Sequence, residues 1–287
     1  MKKIQTGFLV SYDYEKLKKS IPPVYNDSDE IFLALDHENR TWTGNKFVIE
    51  DSFFSWLETI DVDNKITIYK DDFYVSDLSP IENDTRERIM LGNKMGIGNW
   101  IIQIDSDEIF IDFKGFVDKL KKLNRFLDNP EKNKIQIASF HINAYKYLEK
   151  GLLYVDQPTK FYLATNYPNY KCAKNTREQV IYIDSYVLHE GLARTEEELR
   201  YKLDNWGHKD EVNTAFLDKW LKANEKNYTQ IKDVFYLNPK IWKSLGYFPS
   251  ENLNDIKQFI NENPNLKKSK MWIFKKNFGQ WFKHLIK

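Results

Sequence analysis

Ile101-Ile-Gln-Ile-Asp-Ser-Asp-Glu-Ile-Phe110 is an apolar run that ends in two aspartates. It is too short for an amphipathic helix and reads as a buried strand with Asp105 and Asp107 at its exit. Side chains two positions apart on an extended segment point to the same side, so the two carboxylates can converge on one hard divalent cation. Such a cation can in turn hold a diphosphate. Short Asp-x-Asp strings also arise by chance on turns and helix caps, so the meaning of this one depends on its surroundings.

Three comparable apolar runs precede it, Gly7 to Ser11, Ile31 to Asp36 and Lys65 to Lys70, and the fourth runs from Trp100 to Asp105. Between the second and third, Phe53, Phe54, Trp56, Leu57 and Ile60 recur at near-helical spacing. Between the third and fourth, Asp84 offers an N-cap to a helix from Thr85 to Met95, ended by Gly96 and Gly98. Strand and helix alternate, which predicts an α/β fold: a mainly parallel sheet flanked by helices, with ligands bound beyond the carboxyl ends of the strands. Asp36, Asp71 and Asp105 then share one rim.

Beyond Asp107 the pattern changes. Phe113 to Leu127 reads as a helix. Ile135–Ile137, Phe140–Ile142, Leu152–Tyr154, Phe161–Leu163 and Val180–Ile183 read as strands, separated by turns such as Tyr167-Pro168-Asn169. After His189 helices return. Thr195-Glu-Glu-Glu198 has the spacing of a capping box before Leu199, Leu203 and Trp206, and Val212, Phe216, Leu217 and Trp220 suit a second amphipathic helix. No internal repeat or low-complexity segment interrupts the chain, so its halves are expected to share one core.

With 287 residues, 41% of them hydrophobic and 15% aromatic, the chain has ample material for a sizeable core. Its 43 basic and 42 acidic residues leave a formal charge of +1, which argues against nucleic acid as a partner. A single cysteine, Cys172, excludes an internal disulfide and a thiolate zinc cluster; it fits a reducing compartment and is expected to be a small buried or half-buried apolar residue. The N-terminus lacks the apolar core of a signal peptide, and no run is long and apolar enough for a transmembrane helix. The chain is therefore expected to be cytoplasmic or peripheral on the inner face of a membrane.

Its C-terminal segment supports the second of these. Residues 267 to 287 hold seven lysines and no acid, interleaved with Trp272, Ile273, Phe274, Phe278, Trp281, Phe282, Leu285 and Ile286. A helix there presents apolar bulk on one side with lysines around it, suited either to an anionic membrane surface or to docking on its own domain.

A buried strand that ends in Asp-x-Asp after alternating strands and helices resembles the metal-binding element of GT-A glycosyltransferases, which move a sugar from a nucleotide diphosphate to an acceptor. Asp105-Ser-Asp-Glu-Ile109 is similar to the bacterial family-2-like members, and the later His189-Glu-Gly and Asn205-Trp-Gly-His extend the resemblance over about residues 4 to 210. It implies a metal-dependent transfer from a nucleotide-sugar donor, a UDP-sugar, to a glycan or glycolipid acceptor in bacterial surface polysaccharide synthesis. The metal, Mn²⁺ or Mg²⁺, would be held by Asp105, Asp107 and His189, the imidazole favouring Mn²⁺; His208 is a backup ligand. Val10, Ser11 and Tyr12, with Asp36, Asp71, Asp105 and Ser106, would line the nucleotide, and Arg88 and Asn93 stand near an Arg-Asn pair of similar enzymes, here separated. Glu178 and Glu190 are the implied candidates for the carboxylate that accepts the acceptor's proton, with Asp156 behind them. Glu108 would orient a neighbour, cap a helix or face the acceptor. The same resemblance divides the chain into a nucleotide-sugar half (1–110), an acceptor half (111–225) and a helical extension (226–287). Stereochemistry stays open.

Two other classes fit parts of the pattern. A sugar-phosphate nucleotidyltransferase also uses paired acids and a metal, but normally carries a Gly-rich or basic phosphate loop after its first strand, which Ser11-Tyr-Asp-Tyr14 is not. A non-catalytic carbohydrate- or membrane-binding protein with a structural Ca²⁺ site would have no affinity for nucleotide diphosphates.

Overall fold

The computed structural model describes residues 2–205, 212–213, 215–250 and 252–281, the side chain of residue 281 excepted. His208 and residues 282–287 therefore lie outside the described residues, as does Trp206.

Four parallel strands form the frame: β1 (Ile4–Val10), β2 (Glu30–Asp36), β3 (Ile66–Asp71) and β4 (Trp100–Asp105). They lie in the order β4-β1-β2-β3. β1 and β2 are covered on both faces, which is why they read as unbroken apolar runs, whereas the edge strand β3 keeps several residues exposed. Asp36 pairs in register with Asp71, and Leu9 with Asp105, so the three acids do end on one rim.

Short helices α1 (Leu17–Ser20) and α2 (Pro22–Tyr25) join β1 to β2. Helix α3 (Asp51–Ile60) follows the predicted apolar spacing, and α4 (Pro80–Met95) leads into β4. The start of α4 departs from expectation. Ser79 and Glu82 form a reciprocal capping box with Pro80 in the first turn, so the helix begins before Asp84, which is buried inside it rather than capping it.

After β5 (Glu108–Phe110), helix α5 (Phe113–Lys121) is shorter than predicted. Its continuation tightens into a 3₁₀ turn at Asn124–Leu127, where Asn124 Oδ1 accepts from Trp100 Nε1 at 2.8 Å. The two strands expected between Ile135 and Ile142 are one, β6 (Ile135–Leu148). It is followed by β7 (Gly151–Val155), β8 (Thr159–Thr165) and β9 (Gln179–His189). Antiparallel pairing of β8 with β4 carries the sheet from its parallel half into the later strands without a break. β9 lies parallel to β6, and β5 folds antiparallel onto the end of β9.

Helix α6 (Glu196–Asn205) carries the predicted cap: Thr195 Oγ1 accepts from the Glu198 N–H at 3.2 Å, and Glu198 Oε2 accepts from the Thr195 N–H at 2.8 Å. Helix α7 (Ala215–Lys222) begins after Val212 and buries Phe216 and Trp220 against Tyr145, Leu153 and Trp242. Strand β10 (Leu245–Phe248) extends β7, and helices α8 (Ile256–Glu262) and α9 (Lys270–Trp281) complete a mixed α/β architecture. No helix among the described residues is long and apolar enough to cross a membrane.

Gly92 shows how closely the layers meet. A Cβ at this α4 position would lie 2.4 Å from Pro168 Cβ in the turn after β8. Gly92→Ala improves intrinsic helix propensity yet is expected to lower stability by about 1–3 kcal/mol through overpacking. Urea denaturation measures the difference; unchanged or greater stability would show that the Pro168 turn gives way freely.

Candidate functional site

A cavity of about 360 Å³ opens beyond the carboxyl ends of β1 and β4, where the parallel frame predicts a ligand site. Its wall includes Ser11, Tyr12, Arg88, Asp105, Ser106, Asp107, Glu108 and His189, all singled out from the sequence.

β5 and β9 bring the distant parts together. Glu108 pairs in register with His189, and the Glu190 N–H donates to the Asp107 carbonyl at 2.8 Å. The second aspartate is thereby locked beside an imidazole that lies far along the chain. His189 Nε2 is 3.6 Å from Asp107 Oδ1. On the other side of the ring, Nδ1 lies 3.1 Å from Asn143 Oδ1, and Asn143 Nδ2 donates to Thr159 Oγ1 at 2.7 Å. With its amide oriented in this way, Asn143 accepts from Nδ1–H, and the neutral ring presents the Nε2 lone pair toward Asp107. Burial keeps the ring neutral, pushing its pKa down to about 4.

Asp107 is buried, yet it stays ionised. Burial opposes its charge, but Lys202 and Arg194 outweigh that and hold its carboxyl well below the usual range. Oδ2 accepts from Arg194 Nη2 and Lys202 Nζ, both at 2.6 Å. Arg194 also donates to Asp13 Oδ2 at 2.8 Å, and Asp13 Oδ1 accepts from Ser106 Oγ at 2.8 Å.

Asp105 faces other partners. Arg88 Nη2 donates to its Oδ1 at 2.9 Å, and Lys174 Nζ lies 3.1 Å from its Oδ2. The carboxylates of Asp105 and Asp107 thus each face a separate pair of cations. Arg88 is buried, with Nε on Asp84 Oδ1 at 2.7 Å, and its Nη1 has no hydrogen-bond partner among the described residues. Glu108 binds the strands beneath this floor: Oε2 accepts from the Asp105 N–H at 3.0 Å and Lys174 Nζ at 2.6 Å, while His141 Nε2 stands 3.0 Å from Oε1. Against the cost of burial, Lys174 and His141 keep Glu108 ionised, so it orients its neighbours as an acceptor. The His141 ring is stacked between Phe161 and His189, with centroids 3.5 and 4.6 Å away.

Other sequence candidates lie off this wall. Val10 belongs to the buried core, and Asn93 is exposed on α4. Asp36 is buried and tied to Arg40 at 2.8 Å, and Asp71 accepts from Tyr69 at 2.5 Å. Asp36, His37 and Asp72 bring potential ligand atoms within 4.8 Å of one another at the rim, but Arg40 already bridges the two aspartates. Glu178 accepts from Asn169 at 2.7 Å. Glu190 is fully buried among Lys16, Lys19 and the Tyr147 hydroxyl. Neither glutamate lines the cavity. Cys172, expected to be at least half-buried, is exposed at the cavity mouth.

Asp13, His141, Lys174, Arg194 and Lys202 were absent from the sequence candidates. Asp13 had a usable signal, standing in the loop right after the first strand; the lysines have no local pattern.

Behind Trp42 on the wall lies Glu87, whose Oε2 accepts from Trp42 Nε1 at 2.7 Å. Burial raises its pKa from 4.5 to about 8. The folded chain therefore keeps a proton that the unfolded chain releases, and stability falls as pH rises across that interval. Glu87→Gln retains the acceptor without the charge, so its melting temperature is expected to overtake that of the parent progressively between these pH values. Parallel pH profiles for the two proteins would mean that Glu87 ionises normally.

Comparison with known protein families finds no match, and comparison with curated proteins finds none. Among solved structures, S. aureus TarS 1–349 is similar with a TM-score of 0.35 and 12% identity, over 97% of this chain and 89% of that one. Mannose-6-phosphate isomerase from Helicobacter pylori aligns with a TM-score of 0.32 and 9% identity, over 77% and 79% of the two chains. Both likenesses are too distant to fix the fold family or the function of this chain.

Proposed function

We propose that this chain is a metal-dependent glycosyltransferase of GT-A type, which takes a sugar from a nucleotide diphosphate, a UDP-sugar, to a glycan or glycolipid acceptor. The observation that carries the reading is the meeting of Asp107 and His189 on a cavity at the carboxyl ends of parallel strands.

The donor set fits a divalent cation. A buried neutral imidazole nitrogen and an ionised carboxylate oxygen face each other 3.6 Å apart, a nitrogen-oxygen pair better suited to Mn²⁺ than to Mg²⁺. Asp107 and His189 would hold the ion, with Asp105 close by and both its oxygens now engaged by Arg88 and Lys174. When bound, the ion supplies positive charge to the diphosphate as it leaves.

The charges of the wall support that requirement. Arg88, Lys174 and Lys202, with Arg194 behind, are each already committed to carboxylates. A diphosphate entering alone would meet cations whose charge is neutralised. Arg88 still offers one buried donor, Nη1, whose unmet hydrogen bond a phosphate oxygen or a water can satisfy. In the transfer an acceptor hydroxyl attacks the anomeric carbon, the bond from that carbon to the diphosphate oxygen breaks, and the hydroxyl proton passes to a base. His141, Asn143, Phe161 and Tyr162 form a polar-aromatic wall beside the metal pair, chemistry suited to a sugar ring.

Thermal shifts with UDP, GDP and CMP, each with and without Mn²⁺, test the reading. A ligand at about 100 times its Kd stabilises the folded state by about 2.7 kcal/mol. UDP and Mn²⁺ together are expected to raise the melting temperature by more than the sum of their separate effects. Asp107→Asn is expected to abolish that synergy and to lower any transfer from UDP-sugars by at least about 100-fold, equivalent to about 2.7 kcal/mol. No stabilisation by any nucleotide, with or without metal, would overturn the assignment.

A further inference from the structure

Helix α9 meets the rest of the chain along one side. Asn277 closes the open edge of β9: its Oδ1 accepts from the Tyr182 N–H at 2.7 Å, and its Nδ2 donates to the Tyr182 carbonyl at 3.0 Å. Gln280 Oε1 accepts from the Val180 N–H at 3.4 Å. Trp272 adds edge contacts to Phe140 and Tyr182, with ring centroids 5.7 and 5.6 Å apart. These contacts determine which side of the helix faces outward.

Met271 and Phe274 stand on that outer side, 61% and 62% exposed. Phe278 stacks on Phe274 with centroids 6.1 Å apart and is itself 47% exposed. The spacing of the three residues, i, i+3 and i+7, is that of one helical stripe. Lys270 and Lys275 flank this stripe by helical position and are exposed, Lys268 and Lys276 lie over the Trp272 ring, and the sequence from 267 to 287 holds no acid. Subtracting the seven lysines of this segment from the total of +1 leaves −6 on the rest of the chain, so positive charge is concentrated in this stretch of sequence.

We propose that the outer face of α9 docks on an anionic lipid bilayer. Met271 and Phe274 supply bulk for the boundary between headgroups and acyl chains, and the lysines supply the attraction to anionic headgroups. Because the inward side is already occupied by β9, the helix binds without leaving the domain. Charge complementarity selects this occupant over a second copy of the chain, since two such faces opposed would bring lysine against lysine. The proposal rests on this surface alone and is independent of the reaction in the cavity.

Cosedimentation of the full chain with phosphatidylcholine–phosphatidylglycerol vesicles, and with phosphatidylcholine vesicles alone, tests it. The chain is expected to pellet with the anionic vesicles only, and less at high salt. Two double variants separate the contributions: Met271→Glu with Phe274→Glu, and Lys270→Glu with Lys275→Glu. All four side chains are exposed, so melting temperatures are expected to hold, while the partition coefficient falls by roughly tenfold or more in each. Absence of binding by the parent chain, or binding by both variants as strong as the parent's, would overturn the proposal. So would parent binding that does not distinguish the two lipid compositions. Loss of a dimer in the Met271 and Phe274 double variant, with no vesicle binding by the parent, would assign the face to a second copy instead.

Discussion

Asp107 is held at both its backbone and its side chain by residues from much later in the sequence. Its carbonyl accepts the Glu190 N–H, and its carboxylate is bound by Arg194 and Lys202. An ionised carboxylate with so little exposure to water carries a desolvation cost of several kcal/mol, which only close cations can offset. Removing one partner of such a buried pair typically destabilises by about 3–5 kcal/mol, because the remaining charge loses its compensation. The position of α6, which delivers Lys202, is therefore tied electrostatically to the exit of β4. The register of β5 on β9 then places His189 at the same point.

Glu108 performs the corresponding task on the other side of the floor. One carboxylate joins the Asp105 backbone, Lys174 and His141, from three separate stretches of chain. His141 in turn is confined between Phe161 and His189. Fixed side chains of this kind reduce the reorganisation needed when a charged ligand enters. The cost is that each cation is already paired, so a polyanion must either bring a cation with it or rearrange the pairs.

Much of the frame was legible because its signals are local. Buried parallel strands are continuous apolar runs, and the runs ending near Val10, Asp36 and Asp105 were visible as such, as were the shorter edge strand ending near Lys70 and the Thr195–Glu198 cap. Local signals also competed. Asp84 resembled a cap, but Ser79 with Pro80 and Glu82 satisfied the first turn of α4 earlier, freeing Asp84 to pair with Arg88 inside the fold. Ile135–Ile137 and Phe140–Ile142 read as two strands, yet both belong to the single strand β6, on which Ser139, His141 and Asn143 are buried and His141 and Asn143 orient Glu108 and His189.

Sequence alone determined the alternating α/β framework, the exit of a buried strand in Asp105 and Asp107, and the rim on which Asp36 and Asp71 also end. It also marked His189 as a residue leaving another strand. Only the tertiary structure decided that Asp105 and Asp107 face separate pairs of cations, that His189 stands beside Asp107, and that Glu178 and Glu190 lie off the cavity. Hydrophobic periodicity is a property of neighbouring residues and can be read along the chain. Ion pairs such as Lys202 with Asp107 join residues 95 positions apart, and their partners are set by sheet register and helix docking, which no short stretch of sequence encodes.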